Sequence, residues 1–305
     1  MVARVLAAVL LLSTASFAGL VDQVRIALAR HDFSAADSAL QGYRARQGAT
    51  PEYLEALSWE ARAALDAGQL DRAEAYARQT ETLAVQQLKS RALDADKHLP
   101  IALGAAIEVQ AQALAARGKN QQAATLLRRS LVAYGKTSIR ARLQKNLNLL
   151  GLVGQPAPPL SVTQYLGPKP VPLSRAKGSS VLLFFWAHWC ADCKAEGPVI
   201  GRLRAELASK GLTVVAPTQL YGYVARGEDA SPQTELAYIE QVWQYFYPAL
   251  QDVPVPVSQA NFNTYGASTT PTLVLLDRSG RVALYHPGVM PYDQLRAAIE
   301  KTLAN

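Results

Sequence analysis

The chain has 305 residues, half of them apolar and 18% charged, with a formal net charge of +7. That length predicts about two domains with sizeable cores, and the balance of apolar and charged residues excludes a disordered or fibrous polymer. Only two cysteines occur, Cys190 and Cys193, which excludes a disulfide-stapled scaffold and leaves no other thiol to compete with that pair.

Residues 1–18 carry Arg4, an apolar core over 5–12 and the small-residue stretch Ser16-Phe17-Ala18. This is the pattern of a secretory signal peptide cleaved after Ala18, so the expected location is the periplasm. The apolar stretch is short for a bilayer span.

Residues 19–150 are rich in Ala, Leu, Gln and Arg and lack strand signals, which predicts an all-α domain. An imperfect repeat runs through them: His31-Asp-Phe-Ser-Ala-Ala36, Gly68-Gln-Leu-Asp-Arg-Ala73 and Gly118-Lys-Asn-Gln-Gln-Ala123. Each is a short turn followed by a helix with alanine at the same offset, spaced by 37 and 50 residues. Ala61, Ala64 and Ala111, upstream of the turns, let paired helices approach closely. The pattern resembles tetratricopeptide-type hairpins, with Gly68, Ala73 and Ala77 fitting best. Three hairpins and a closing helix over about 137–149 are expected, the longer spacing being absorbed around residues 90–100; a generic helical bundle is the alternative.

Between 117 and 145 stand eight basic residues and no acidic one: Arg117, Lys119, Arg128, Arg129, Lys136, Arg140, Arg142 and Lys145. A solvated helix face explains them; a contact surface for an acidic partner or anionic headgroups is the sharper reading. No aromatic pattern suited to nucleic acid accompanies them.

Residues 151–160 form a linker in which Pro156, Pro158 and Pro159 preclude helix and predict an extended spacer, limiting contact between the halves. Residues 161–305 make the second domain. A short hairpin around Gly167-Pro168 is expected first. The apolar run 181–185 reads as a buried strand, and the turn through Trp186, Ala187, His188 and Trp189 delivers Cys190-Ala-Asp-Cys193 to a helix start. A helix follows to about residue 210, stopped by Gly211, then a strand over 213–216. Residues 217–260 hold a loop with Tyr221 and Tyr223, and a helix capped by Ser231 that carries Tyr238, Trp243, Tyr245, Phe246 and Tyr247. Thr269-Thr270-Pro271-Thr272 opens a hairpin over 273–285, and a closing helix spans 291–303.

The motif Trp189-Cys190-Ala-Asp-Cys193-Lys194, with Pro198 beyond it, resembles the active site of thioredoxin-fold proteins. The Gly154-x-x-Ala157-Pro158 segment ahead of it is similar to the start of TlpA/ResA-like thiol–disulfide oxidoreductases. The resemblance covers about 154–305. It implies an α/β thioredoxin fold after the all-α domain, a cis-proline loop at Thr270-Pro271 opposite the cysteines, and no cofactor beyond the redox-active disulfide.

Helix-start placement favours a thiolate at Cys190, the nucleophile of disulfide exchange, with Cys193 resolving the mixed disulfide. Cys190 is expected exposed and Cys193 buried. Pro271 with Thr270 shields the pair and offers a backbone edge to substrate. Trp189, Tyr221 and Tyr223 are candidate substrate-groove residues. The buried aspartate of thioredoxin, six residues before the first cysteine, is replaced by Phe184, so Glu196 is the candidate carboxylate for the Cys193 proton; a solvated glutamate is the alternative. His188 is expected on the turn surface. The reading is a reductase of a protein disulfide, recruited by the helical domain and supplied by a membrane or periplasmic thiol donor. Two alternatives stand beside it: a Sco-like copper-handling protein and a helical-repeat binding module with little redox activity. A peroxiredoxin is disfavoured because Ala187 stands three residues before Cys190.

Overall fold

A computed structural model describes residues 19–176 and 178–304; the expected signal peptide over residues 1–18 lies outside them. The first half is helical: α1 (Leu20–Ala29), α2 (Phe33–Gln47), α3 (Pro51–Asp66), α4 (Leu70–Gln87), α5 (His98–Ala116), α6 (Asn120–Tyr134) and α7 (Arg140–Gly151). Consecutive helices pack as α1/α2, α3/α4 and α5/α6, with α7 closing against α5 and α6.

The three repeat turns share one geometry. His31, Gly68 and Gly118 all have positive φ, at 57°, 71° and 73°. The next amide in each turn reaches back to a carbonyl five residues earlier, Asp32 to Ala27, Gln69 to Ala64 and Lys119 to Leu114. This left-handed closure satisfies the last carbonyls of one helix and reverses the chain into the next. Glycine takes it without strain; His31 pays about 1 kcal/mol in the same slot. Five residues on, Ala36, Ala73 and Ala123 are each fully buried, as are Ala61 and Ala64. A methyl group at these points sets how closely the helices approach. The longer second spacing is taken up by the end of α4 and a 3-10 turn at Leu93–Ala95.

Part of the basic run is neutralised inside the helical half. Arg117 pairs with Asp71 and Glu74, while Arg142 and Lys145 share Glu108. Glu60, on α3, is fully buried, and neither carboxylate oxygen has a hydrogen-bond partner among the described residues.

The second half contains β1 (Tyr165–Leu166), β2 (Ser180–Phe185), α8 (Ala191–Leu207), β3 (Leu212–Val215), α9 (Pro232–Phe246), β4 (Val255–Pro256), α10 (Gln259–Tyr265), β5 (Thr272–Leu276), β6 (Val282–Pro287) and α11 (Tyr292–Ala304). Its main sheet has the order β3-β2-β5-β6, with β2 parallel to β3 and antiparallel to β5. As an interior strand covered on both faces, β2 must be apolar throughout. Leu182 and Phe184 face the core shared with α8, α9 and α11; Val181, Leu183 and Phe185 face a second core against α10.

Two sequence expectations are corrected. The segment around Gly167 makes no local hairpin: Tyr165 and Leu166 pair antiparallel with Pro256 and Val255, because the 217–260 insert brings a partner strand back. Nor is the proline segment a free spacer. Gly154 N–H donates to Val282 C=O, Val282 N–H to Gln155 C=O, and Ala157 N–H to Gly280 C=O. The segment covers the exposed edge of β6, whose backbone groups would otherwise be unpaired. Beyond it, α7 packs on α10. The approach is closest at Gly266 (φ 62°), where an added Cβ would collide with the backbone of Gln144 and Lys145.

Two predictions follow from this packing. Gly266→Ala loses about 1–3 kcal/mol, seen as a lower melting temperature; an unchanged value would contradict this docking of the halves. Burial, with Asp37 nearby, pushes the Glu60 carboxyl up to about 7 against the opposing pull of Arg72. A carboxyl with a raised folded-state pKa binds more protons folded than unfolded, so stability falls as pH rises from about 4.5 to 7. Glu60→Gln is therefore expected to melt higher than wild type at pH 7.5, by roughly 1–3 kcal/mol of stability, with the difference shrinking toward pH 4.5. Parallel pH profiles would exclude this account.

Candidate active site

The site sits where β2 ends and α8 begins. Trp186 anchors the turn: its indole N–H donates to Ala216 C=O, its backbone accepts from the Thr218 hydroxyl, and its ring packs on Trp243 and Tyr247. From that anchor the chain reaches Cys190, the N-cap of α8, whose sulfur accepts the Cys193 N–H at 3.0 Å. A sulfur in the N-cap position carries negative charge favourably, facing free amides and the positive end of the helix. Cys190 and Cys193 are joined as a disulfide with Cα atoms 5.3 Å apart.

Thr270–Pro271 is cis, and Pro271 is buried. The Thr270 carbonyl oxygen lies 3.4 Å from the Cys190 sulfur. The cysteines and the proline loop, 80 residues apart, are therefore in contact. Cys193 is fully buried as expected, but Cys190 is only 4% exposed, because the proline loop covers it. Trp189 instead stands out, at 49% exposure.

Glu196 is buried one turn after Cys193 and accepts the Met290 N–H at 3.4 Å. Burial raises its pKa, with the Met290 amide opposing. A carboxyl held this way takes up a proton more readily than a solvated one does. Phe184 fills its position in the core, leaving no room for a charge there.

His188 departs from expectation: it is buried, not on the turn surface. Tyr221, Tyr223 and Tyr238 meet its ring edge-on at 5.3–5.5 Å. Its Nε2 lies 3.3 Å from Glu235, a fully buried carboxylate that also accepts the Tyr221 and Gly222 amides. Burial holds the His188 pKa below its usual value, although Glu235 pulls the other way. The neutral ring donates Nε2–H to Glu235. This clamp fixes the Tyr221 loop to the active-site turn, where Tyr221 meets the Trp189 ring edge at 5.6 Å. Sequence reading missed Glu235, whose only signal is an acid in the first turn of the insert helix.

Among the described residues, no group of three or more His, Cys, Asp or Glu side chains converges to hold a metal.

The thioredoxin-like domain family matches residues 173–303. The thiol–disulfide oxidoreductase ResA of Bacillus thuringiensis is 30% identical over 151 residues, covering 49% of this chain and 78% of that protein. The chain belongs to the ResA-type thiol–disulfide oxidoreductases. The thiol:disulfide interchange protein DsbE of Xylella fastidiosa is 27% identical over 155 residues, covering 50% of this chain and 71% of its own. Among solved structures, the exposed lipoprotein thioredoxin of Streptococcus pneumoniae aligns with a TM-score of 0.37 at 27% identity, covering 48% of this chain and 98% of that one. Within this ResA-type chain, the disulfide pair, the cis-proline loop and the buried Glu196 lie together at one end of the sheet, and the helical half precedes the family match.

Glu235→Ala tests the clamp. It strips two amides and an imidazole of a charged acceptor, a loss of about 1.5–3 kcal/mol. Hydrogen exchange at the Tyr221 and Gly222 amides is expected to accelerate about tenfold or more. Unchanged protection would rule the clamp out.

Proposed function

We propose that this oxidoreductase works as an exported reductase of a specific protein disulfide, with the helical half selecting the partner. The observation that carries the reading is the Cys190 sulfur, capped by the Cys193 amide and set beneath the Thr270 carbonyl. In the reduced protein, the Cys190 thiolate attacks one sulfur of the partner disulfide and expels the other as a thiolate. Cys193 gives its proton to Glu196 and displaces the bound partner sulfur. The result is the Cys190–Cys193 disulfide and a partner dithiol, two electrons having moved to the partner. A thiol donor at the membrane or in the periplasm restores the pair. The signal-peptide pattern of residues 1–18 supports export, and Trp189, Tyr221 and Thr270 supply the substrate-facing surface.

The reducing direction rests on electrostatics. A strong oxidant needs an unusually stabilised thiolate. Here Asp192 stands exposed between the cysteines, and a like charge disfavours ionisation of the neighbouring thiol. His188 is neutral in its cage, and the Thr270 carbonyl turns the negative end of its dipole toward the sulfur. Against these stand the Cys193 N–H and a helix-end contribution of about 0.3–1 kcal/mol. Equilibration with glutathione is expected to give a midpoint nearer thioredoxin, about −270 mV, than DsbA, about −120 mV. A value close to that of DsbA would remove the reductase reading.

A further inference from the structure

The basic run of residues 117–145 divides into two groups. Arg117, Arg142 and Lys145 are paired with carboxylates of the helical half. Arg128 and Arg129 on α6, Lys136 in the turn after it and Arg140 at the start of α7 are exposed, and none of these four has an ion pair among the described residues. Arg140 donates to the Gly135 C=O at 3.0 Å. Lys119, also exposed, stands beside the Arg117–Asp71–Glu74 group, where the charges balance.

One side of α6 packs on α5 and α7, which leaves Thr125, Arg128, Arg129 and Val132 together on its outer side. At 3.6 residues per turn these side chains lie within about 60° of one another's mean direction, and Lys136 continues their line. Val132, between the cations, is 88% exposed. The nearest acids do not join this stripe. Glu81 stands near Tyr134 and accepts from Gln110 at 2.6 Å, and Tyr134 lies about 200° round the helix from Val132. Asp94 accepts the backbone N–H and the hydroxyl of Ser138, at the far end of the face.

We propose that this face rests on an anionic membrane surface, with the guanidinium and ammonium groups on lipid phosphates and Val132 in the headgroup boundary. Two features favour lipid over an acidic protein. Arg128, Arg129 and Lys136 make no hydrogen bond among the described residues, so nothing fixes them in a geometry matched to one set of carboxylates, whereas mobile headgroups accommodate long cationic side chains in any arrangement. An exposed apolar side chain flanked by such cations is the pattern of a helix lying in the interface plane. The face also runs to the redox end of the molecule: Ser138, between Lys136 and Arg140, lines a cleft whose other side carries Trp189 and Thr270. A chain bound this way holds its redox end close to the membrane, where a thiol donor embedded there can reach it. The binding itself does not depend on the exchange reaction proposed above.

The test is co-sedimentation of the chain over residues 19–305 with vesicles of phosphatidylcholine containing about one third phosphatidylglycerol, against vesicles of phosphatidylcholine alone. Wild type is expected to bind the anionic vesicles selectively and to be released at about 0.5 M salt, where the Debye length shrinks to a few Å. Each basic residue at such a surface is worth about fivefold in affinity, so Arg128→Gln with Arg129→Gln and Lys136→Gln should weaken binding about a hundredfold. Lys169→Gln with Arg226→Gln and Lys301→Gln removes the same charge from exposed positions in the other half and should leave binding within about fivefold of wild type. Val132→Trp, a substitution at an exposed position, should add a blue-shifted tryptophan emission on the anionic vesicles beyond any change in wild type. No selective binding by wild type, equal loss in the two triple variants, or no added shift from Val132→Trp would each overturn the inference. Vesicle binding is scored without thiol chemistry, so any of these results leaves the exchange reaction standing.

Discussion

The hydrogen bond from the Cys193 amide to the Cys190 sulfur is the interaction on which the site depends. It makes the reactive sulfur the cap of α8, so the first turn of the helix and the stability of a thiolate share one geometry. Everything around it holds that turn in place. Trp186 fixes the end of β2, the cis-proline loop covers the sulfur, and the His188–Glu235 clamp ties the insert loop to the residue two before Cys190. The cost is a buried carboxylate, tolerated because two amides and an imidazole donate to it.

What could be read in the sequence is what is local. The cysteine motif, the apolar run of β2, the Ser231 cap and the three repeat turns each depend on residues within a few positions. The structure places all of them as expected, down to the matching burial of Ala36, Ala73 and Ala123. What escaped depends on distant partners. His188 reads as a surface residue until Glu235, 47 residues on, supplies a buried acceptor. Cys190 reads as exposed until the proline loop closes over it. The proline segment reads as a spacer because nothing in it announces that β6 has an open edge to cover. At Gly266 it is the docked α7, distant in sequence, that excludes a side chain.

These misses share a direction: the halves are more closely joined than composition suggests. Charges that make residues 117–145 look like a basic face are partly spent within the helical half, where Arg142 and Lys145 share Glu108. The two halves meet where α7 docks on α10 at Gly266 and where the segment after α7 pairs with the edge of β6.

The central claim is that Cys190 is the attacking sulfur and Cys193 the resolving one. The most direct measurement is mass mapping of the protein adducts that accumulate on Cys193→Ala when the full chain is expressed in bacterial cells, with Cys190→Ala as the control. The account predicts mixed disulfides to discrete partner proteins through Cys190, and none of comparable yield in the control. Equal trapping through Cys193 in the Cys190→Ala protein, or no adduct in either, would contradict it.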